Sequence, residues 1–259
     1  MLDAHPDLAI PPETHFIVGL TRARNWSPHP RDAVVREILR HPAWPDFNLD
    51  PDDFLARLVN ASRPTDVLRV FYSMYAAQQG KSRWGDKTPR YVLAMPTIAE
   101  LLPEARFIHM IRDGRDVAVS IIPLWFGPAS IEQAASWWKE RIDVARREAD
   151  ARRYIEIKYE SLVTNPRPEL ERVCTFIGLD FREEMLTSHT RAGTRLAEEK
   201  DRLDLGISAA RRMQIHARVR LPPDSGAVGR WRREMTAHER HRFESLAGDT
   251  LERLGYPVD

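Results

Sequence analysis

The sequence predicts an α/β protein with a parallel sheet, and three observations carry that expectation. Residues 106–111, RFIHMI, form a short apolar run with Pro103 behind and Asp113-Gly114 ahead, which predicts a buried strand. Residues 153–159 alternate Tyr154, Glu156 and Lys158 with Ile155, Ile157 and Tyr159, the pattern of a second strand. The stretches around them carry helical spacing, and strands that alternate with helices pair in parallel.

The first of these strands turns directly into a helix. Val117, Ala118, Ile121 and Ile122 follow at helical spacing, and Asp113 stands where a cap is needed. Arg112 falls on the turn and Ser120 lies eight residues on, inside the helix. Backbone N–H groups at a helix start attract anions, and a guanidinium beside them adds bidentate reach. The local reading is a phosphate-binding corner; the alternative is an ordinary strand-to-helix junction with a surface arginine.

Composition narrows the class. The chain has 259 residues, 42% apolar and 30% charged, which suits one large globular domain or one domain with insertions. Its 39 basic and 38 acidic side chains leave a net charge of +1, so bulk electrostatics does not nominate nucleic acid. Lysine occurs only at 81, 87, 139, 158 and 200. Cys174 is the one cysteine, so no internal disulfide or cysteine zinc cluster is possible, and a reducing, cytoplasmic setting is expected. No apolar run approaches the roughly 20 residues of a membrane span, and no signal peptide is visible. Asn25-Trp26-Ser27 and Asn60-Ala61-Ser62 match glycosylation acceptors and are read as chance. His238-Glu239 with His241 misses the zinc-helix pattern because position 242 is Arg, so no metal is expected.

In chain order, 7–10 reads as a short strand that ends at Pro11-Pro12, with Glu13 next. A carboxylate at a strand end is well placed for a general base, or is a solvated loop glutamate. Residues 26–102 look largely helical. One helix over 31–40 carries Val34, Val35, Ile38 and Leu39 on one face. Asp50-Pro51-Asp52-Asp53 starts another, with Leu55, Leu58 and Val59 as its apolar stripe. A third spans 64–80 with Val67, Leu68, Phe71, Met74 and Tyr75. Gly80-Lys81-Ser82 mimics the tail of a Walker loop, but Tyr75 stands where its first glycine belongs.

Trp84-Gly85-Asp86-Lys87-Thr88-Pro89 then breaks the helices, with Pro89 keeping Thr88 extended and opening the next helix. An ammonium on such a stiff loop can stabilise charge on a transferred group; the plain alternative for Lys87 is a surface lysine. Further helices are expected over 130–150 and over 168–177, the second closed by Gly178. Residues 191–220 are polar and Arg-rich, the pattern of a loose, solvated excursion. Thr236-Ala237-His238-Glu239 is a capping box that opens the last helix, which Gly255 ends.

Six motifs taken together resemble the PAPS-dependent sulfotransferases (PAPS is 3′-phosphoadenosine-5′-phosphosulfate). They are residues 1–6, Glu13-Thr14, Lys87-Thr88-Pro89, Arg112-Asp113-Gly114-Arg115, Tyr159-Glu160 and Leu254-Gly255-Tyr256, in family order over nearly the whole chain. They are most similar to the tyrosylprotein type and its bacterial relatives. The resemblance implies a P-loop-NTPase-like parallel sheet flanked by helices, forming a single domain over 1–259 with 26–102 as its acceptor-side region. It implies sulfuryl transfer from PAPS to an acceptor hydroxyl or amine, leaving PAP, without a metal. Glu13 would be the base and Lys87 the catalytic lysine. Arg112 and Ser120 would hold the 3′-phosphate, Arg230 would add a basic contact from the loop 226–231, and Tyr159 would border the adenine or else simply pack the core edge. Asp224 and Ser225 depart from the Arg-Lys pair of the cytosolic type.

The family's first strand and phosphosulfate loop do not occur in the sequence, whose Met1 begins in mid-motif. The expectation is therefore an N-terminally truncated, destabilised domain, and the alternative to an enzyme is an inactive remnant that binds PAP or serves as an interaction domain. The acceptor and the oligomeric state have no sequence signature.

Overall fold

The computed structural model describes residues 1–23, 29–202, 206–215 and 217–258, the side chains of 21–23, 215 and 218 apart. The first glycosylation-like triplet, 25–27, lies outside them. The chain divides into two compact units, Met1–Ala105 with Gly178–Pro223, and Arg106–Ile177 with Asp224–Asp259.

The first unit is built on a short parallel strand pair, β1 (Leu8–Ala9) and β2 (Arg83–Trp84), with Leu8 opposite Arg83 and Ala9 opposite Trp84. The sequence pattern finds β1, an apolar run ahead of Pro11-Pro12, but not β2, whose Arg83 and Trp84 form no apolar run and sit beside the Trp84–Pro89 turn. Helices α1 (Phe16–Ala23), α2 (Pro30–Arg40), α3 (Pro51–Arg57), α4 (Pro64–Gln78) and α5 (Met95–Leu101) follow the chain, with a 3-10 segment at Pro89–Ala94. Their core is aromatic. The Phe71 ring meets Phe16 at 5.1 Å and Phe47 at 4.9 Å, both edge to face.

Asp50 caps α3 as expected, its Oδ1 accepting the Asp53 N–H at 2.8 Å. The buried face of α3 differs from the expected stripe. Phe54 and Leu58 are fully buried, whereas Leu55 is 46% and Val59 84% exposed. Phe54 and Leu58 are four residues apart, and the larger ring takes the core position beside Trp44 and Phe71.

The segment 191–220, expected to be loose, is docked in its described parts. It carries α10 (Ala192–Leu196) and α11 (Ala209–Ile215). Arg195 pairs with Asp3 at 2.7 Å and donates to the Ile10 carbonyl at 2.7 Å and the Tyr75 hydroxyl at 2.6 Å, while Arg212 pairs with the buried Asp46 at 2.9 Å. Arg195 and Arg212 are therefore structural cations rather than members of a solvated run.

The second unit holds β3 (Phe107–Ile111) and β4 (Tyr154–Lys158), parallel and in register from Phe107–Tyr154 to Ile111–Lys158. Between them lie α6 (Gly114–Ile121) and α7 (Ile131–Arg147); α8 (Tyr159–Thr164), α9 (Pro166–Ile177), α12 (Trp231–Glu234) and α13 (Ala237–Arg253) follow. Strand β3 is less buried than its composition suggests: Ile111 faces the core, but Met110, on the opposite face, is 48% exposed.

The core joins Ile111, Trp138, Ile142, Phe243, Leu251 and Leu254. Gly114 is required there, since a Cβ would lie 2.6 Å from the Trp138 ring and 2.7 Å from Phe243. The capping box at Thr236 and Glu239 forms as read, and Gly255 ends the last helix at φ 74°.

Candidate functional site

The expected catalytic pair lies in the first unit. Glu13 follows β1 and Lys87 follows β2, so both stand beyond the carboxyl ends of neighbouring parallel strands, the usual ligand side of an open α/β sheet. Lys87 Nζ donates to Glu13 Oε1, and His15 Nε2 lies 3.2 Å from the other oxygen, Oε2. Partial burial of the carboxyl would raise its pKa, but the His15 hydrogen bond and the Lys87 charge outweigh it and lower the value to about 2. The carboxylate is thus ionised and, while Lys87 stays on it, a weak base.

What brings the two segments to this distance is a buried polar cluster. Asp86 Oδ2 accepts the hydroxyls of Thr14 at 2.6 Å and Tyr72 at 2.8 Å, and its Oδ1 accepts Thr88 at 2.8 Å. The Thr14 N–H donates to Thr88 Oγ1 at 3.1 Å, and the Ile17 N–H to the Tyr91 hydroxyl at 3.1 Å. The residues beside the expected pair, Thr14 and Thr88, are thereby tied through one carboxylate. Burial pushes the Asp86 pKa up, against the pull of the three hydroxyls.

The second unit holds the expected anion corner. Arg112 is the residue after β3, and Tyr159 the residue after β4. Arg112 donates to Ser120 Oγ at 3.2 Å and to the Ala227 carbonyl, and its guanidinium lies 4.8 Å from the centre of the Tyr159 ring. Asp224 caps the turn Ser225–Ala227 through the Gly226 N–H, so this loop presents Ala227 to Arg112. Asp116 lies 3.8 Å from Arg112, but its oxygens accept the N–H groups of Gly229 at 2.6 Å and Trp231 at 2.9 Å. Arg112 Nε is buried and has no hydrogen-bond partner among the described residues. A largely buried cation with a donor to spare, beside a hydroxyl and a helix start, fits an anionic oxygen.

The corner is braced by the remaining motif residues. Glu160 accepts the Asp113 N–H at 2.9 Å on one oxygen and the Tyr256 hydroxyl at 3.0 Å on the other. Arg115 is fully buried, paired with Asp113 at 2.8 Å and with Glu244, and lies 3.7 Å from the Trp231 ring centre. Of the residues singled out in the sequence, the structure thus joins Glu13 with Lys87, and Arg112 with Ser120 and Tyr159. Arg230 instead forms a two-pronged pair with Glu234, at 2.8 and 2.7 Å.

His15, Asp86, Tyr91 and Glu160 make contacts in this geometry that sequence reasoning did not assign. In sequence, Asp86 and Glu160 adjoin Lys87 and Tyr159, His15 stands two residues after Glu13, and Tyr91 four after Lys87. Among the described residues no group of histidine, cysteine or acidic side chains could hold a metal ion, and no helix is long and apolar enough to cross a membrane.

Comparison with known proteins identifies the family and the fold. The chain is 30% identical to the nodulation protein NoeE of Sinorhizobium fredii over 99% of its length, covering 62% of that protein. It is 22% identical to protein-tyrosine sulfotransferase 2 of Gallus gallus, over 99% of this chain and 64% of that one. The chain therefore spans less than two thirds of the length of these relatives. Among solved structures, the sulfotransferase domain of the Synechococcus PCC 7002 olefin synthase superposes with a TM-score of 0.59 at 25% identity, over 100% of this chain and 89% of that one. The sulfotransferase domain of the curacin biosynthetic pathway gives a TM-score of 0.60 at 17% identity, over 100% and 92%. The Sulfotransferase family matches residues 1–183. The α/β architecture is that of these P-loop-NTPase-like domains, and the chain belongs to the sulfotransferase family.

Proposed function

We propose that this chain transfers a sulfuryl group from PAPS to the hydroxyl of an acceptor. The single observation that carries the reading is the spare, buried donor of Arg112, set between Ser120 and the face of Tyr159 after a strand end. PAPS, when bound, supplies the activated sulfuryl group. Arg112 and Ser120 hold its 3′-phosphate through charge-assisted hydrogen bonds, and Tyr159 borders the adenine. Arg230 reaches the same phosphate only by leaving Glu234, so it is the weakest member of the set.

Glu13 takes the proton of the acceptor hydroxyl. Lys87 steadies negative charge on the transferring group and the leaving oxygen. Its pairing with Glu13 is the resting state: when the ammonium turns to the sulfuryl group, the carboxylate loses its strongest attractive charge and gains basicity. The chemistry is positioning and electrostatic stabilisation, and the residues present require no metal for it. On this reading residues 1–259 act as one catalytic domain, with 26–102 choosing the acceptor, in a cytoplasmic setting.

The test is a thermal-shift titration with PAP, using the 3′-dephospho nucleotide as control. At about 100 times its dissociation constant, PAP is expected to stabilise the chain by about 2.7 kcal/mol. The control should stabilise it far less. A cooperative melt that ignores PAP overturns the reading.

A further inference from the structure

His15 adopts a backbone conformation that bulky side chains rarely take. Its φ of 57° lies in the left-handed region. Strain of this kind persists only where the surroundings fix it, and it clusters at functional sites. Two contacts accompany it here. Nε2 lies 3.2 Å from Glu13 Oε2, and the ring stacks on His41 with centroids 6.4 Å apart and planes inclined by 21°. His41 is itself fixed at the end of α2, its Nδ1 accepting the Ala43 N–H at 3.2 Å.

The two oxygens of Glu13 therefore have unlike holders. Oε1 takes Lys87, whose side chain is 62% exposed on a loop. Oε2 takes an imidazole wedged in a constrained backbone against a second ring. Among the described residues, Asp86 also acts on Glu13 through its charge.

Resting on the sulfotransferase reading, we propose that His15 is the positioning residue of the base: its Nε2–H donates to Glu13 Oε2 and holds the carboxylate in place once Lys87 turns to the transferring group. Without a second holder, a glutamate released by Lys87 would be free to rotate about its side-chain bonds. With Oε2 engaged, Oε1 is the oxygen that faces the acceptor. The acceptor O–H bond breaks, the Oε1–H bond forms, and the His15 N–H is conserved throughout. The step needs no further reactant.

The test removes Lys87 from the carboxylate and reads Glu13 directly. In a Lys87→Met background, the Glu13 carboxyl is titrated by carbon NMR with His15, His15→Gln and His15→Met. Gln and Met share length and backbone strain, and only Gln carries an N–H donor at the reach of Nε2. A misfolding effect would strike both alike. The expected result is a Glu13 midpoint about one pH unit higher in His15→Met than in His15→Gln, because a donor to the charged form is lost.

With Lys87 restored, His15→Met should turn PAPS over about tenfold more slowly and His15→Gln recover most of that rate. PAP affinity should be unchanged in both. Equal Glu13 midpoints in folded, PAP-binding Gln and Met variants overturn the role of His15 alone. Failure of the native chain to bind PAP removes the sulfotransferase reading and this inference with it.

Discussion

Glu13 and Lys87 follow β1 and β2 in one compact unit; Arg112 and Tyr159 follow β3 and β4 in the other. Each unit thus uses one parallel strand pair to present two side chains beyond its carboxyl ends. The electrostatics of the two pairs differ. Glu13 and Lys87 cancel each other, and their separation is set from below by the hydroxyl cluster on Asp86. Arg112 lies over an aromatic ring, takes a carbonyl and a hydroxyl, and keeps a donor over. On the proposed reading the Arg112 corner is charged in advance for its ligand, whereas Glu13 and Lys87 are neutralised until the transferring group draws Lys87 away. Binding and chemistry are therefore separable by substitution.

The sharpest separation is expected from Glu13→Gln. Turnover should fall about 10²–10⁴-fold, the range for a lost general base, with PAP affinity unchanged; equal turnover removes Glu13 from the role of base. Lys87→Met should cost about 10²–10³-fold in rate, as for a single lost donor to developing charge. It should also raise the Glu13 midpoint, because the ammonium favours the ionised form. Arg112→Lys reverses the pattern. A lysine keeps the charge but loses the planar fork, so PAP affinity should fall roughly 10–100-fold, the size of one charge-assisted hydrogen bond. Calorimetric titration checks it, and a melting temperature close to the parent's confirms that only the corner changed.

Asp86→Asn probes the support rather than either pair. It leaves hydroxyls of Thr14, Tyr72 or Thr88 without their acceptor, at a cost of about 1–3 kcal/mol. For a chain of this size that lowers the melting temperature by roughly 2–4 °C per kcal/mol. Turnover should fall with it, while the PAP affinity of the folded protein stays level.

The smallest effect is the pH dependence of stability. Glu13 is depressed in the folded chain from 4.5 to about 2, so its stabilising contribution is complete above pH 4.5 and is lost as pH falls towards 2. Denaturation between those values should be steeper for the parent than for Glu13→Gln. Parallel curves would mean that the ion pair does not hold in solution.

How much of this was legible follows from the range of the signals. β3, the Asp113 cap and α6 are local features, and a strand-to-helix corner with Arg112 and Ser120 could be read from 106–120 alone. The Asp50 cap and the Thr236 capping box are equally local. β2 escaped because Arg83-Trp84 is not an apolar run, unlike the equally short β1 at Leu8-Ala9. The Phe54 face of α3 was missed because a ring in the first turn, three residues after Pro51, outcompeted the smaller Leu55 and Val59 for the core.

Asp86 and Glu160 could not be assigned, because the contacts that matter, Asp86 with Thr14 and Glu160 with the Asp113 N–H, bridge 72 and 47 residues of sequence. No periodicity connects such groups. Arg195 and Arg212 were misread for a related reason: the acids Asp3 and Asp46 lie far back in the chain, and a charge run looks solvated until its partners are known.

The brace through Glu160 has a consequence at the other end of the sequence. Its two oxygens connect the Asp113 backbone, the residue after Arg112, to the hydroxyl of Tyr256. A phenol near the carboxyl end is thereby wired to the start of α6. Trimming the chain before Tyr256, or replacing it by Phe, slackens the anion corner without touching any residue that would meet the nucleotide, so a tag fused there ought to be set off from Tyr256 by a spacer.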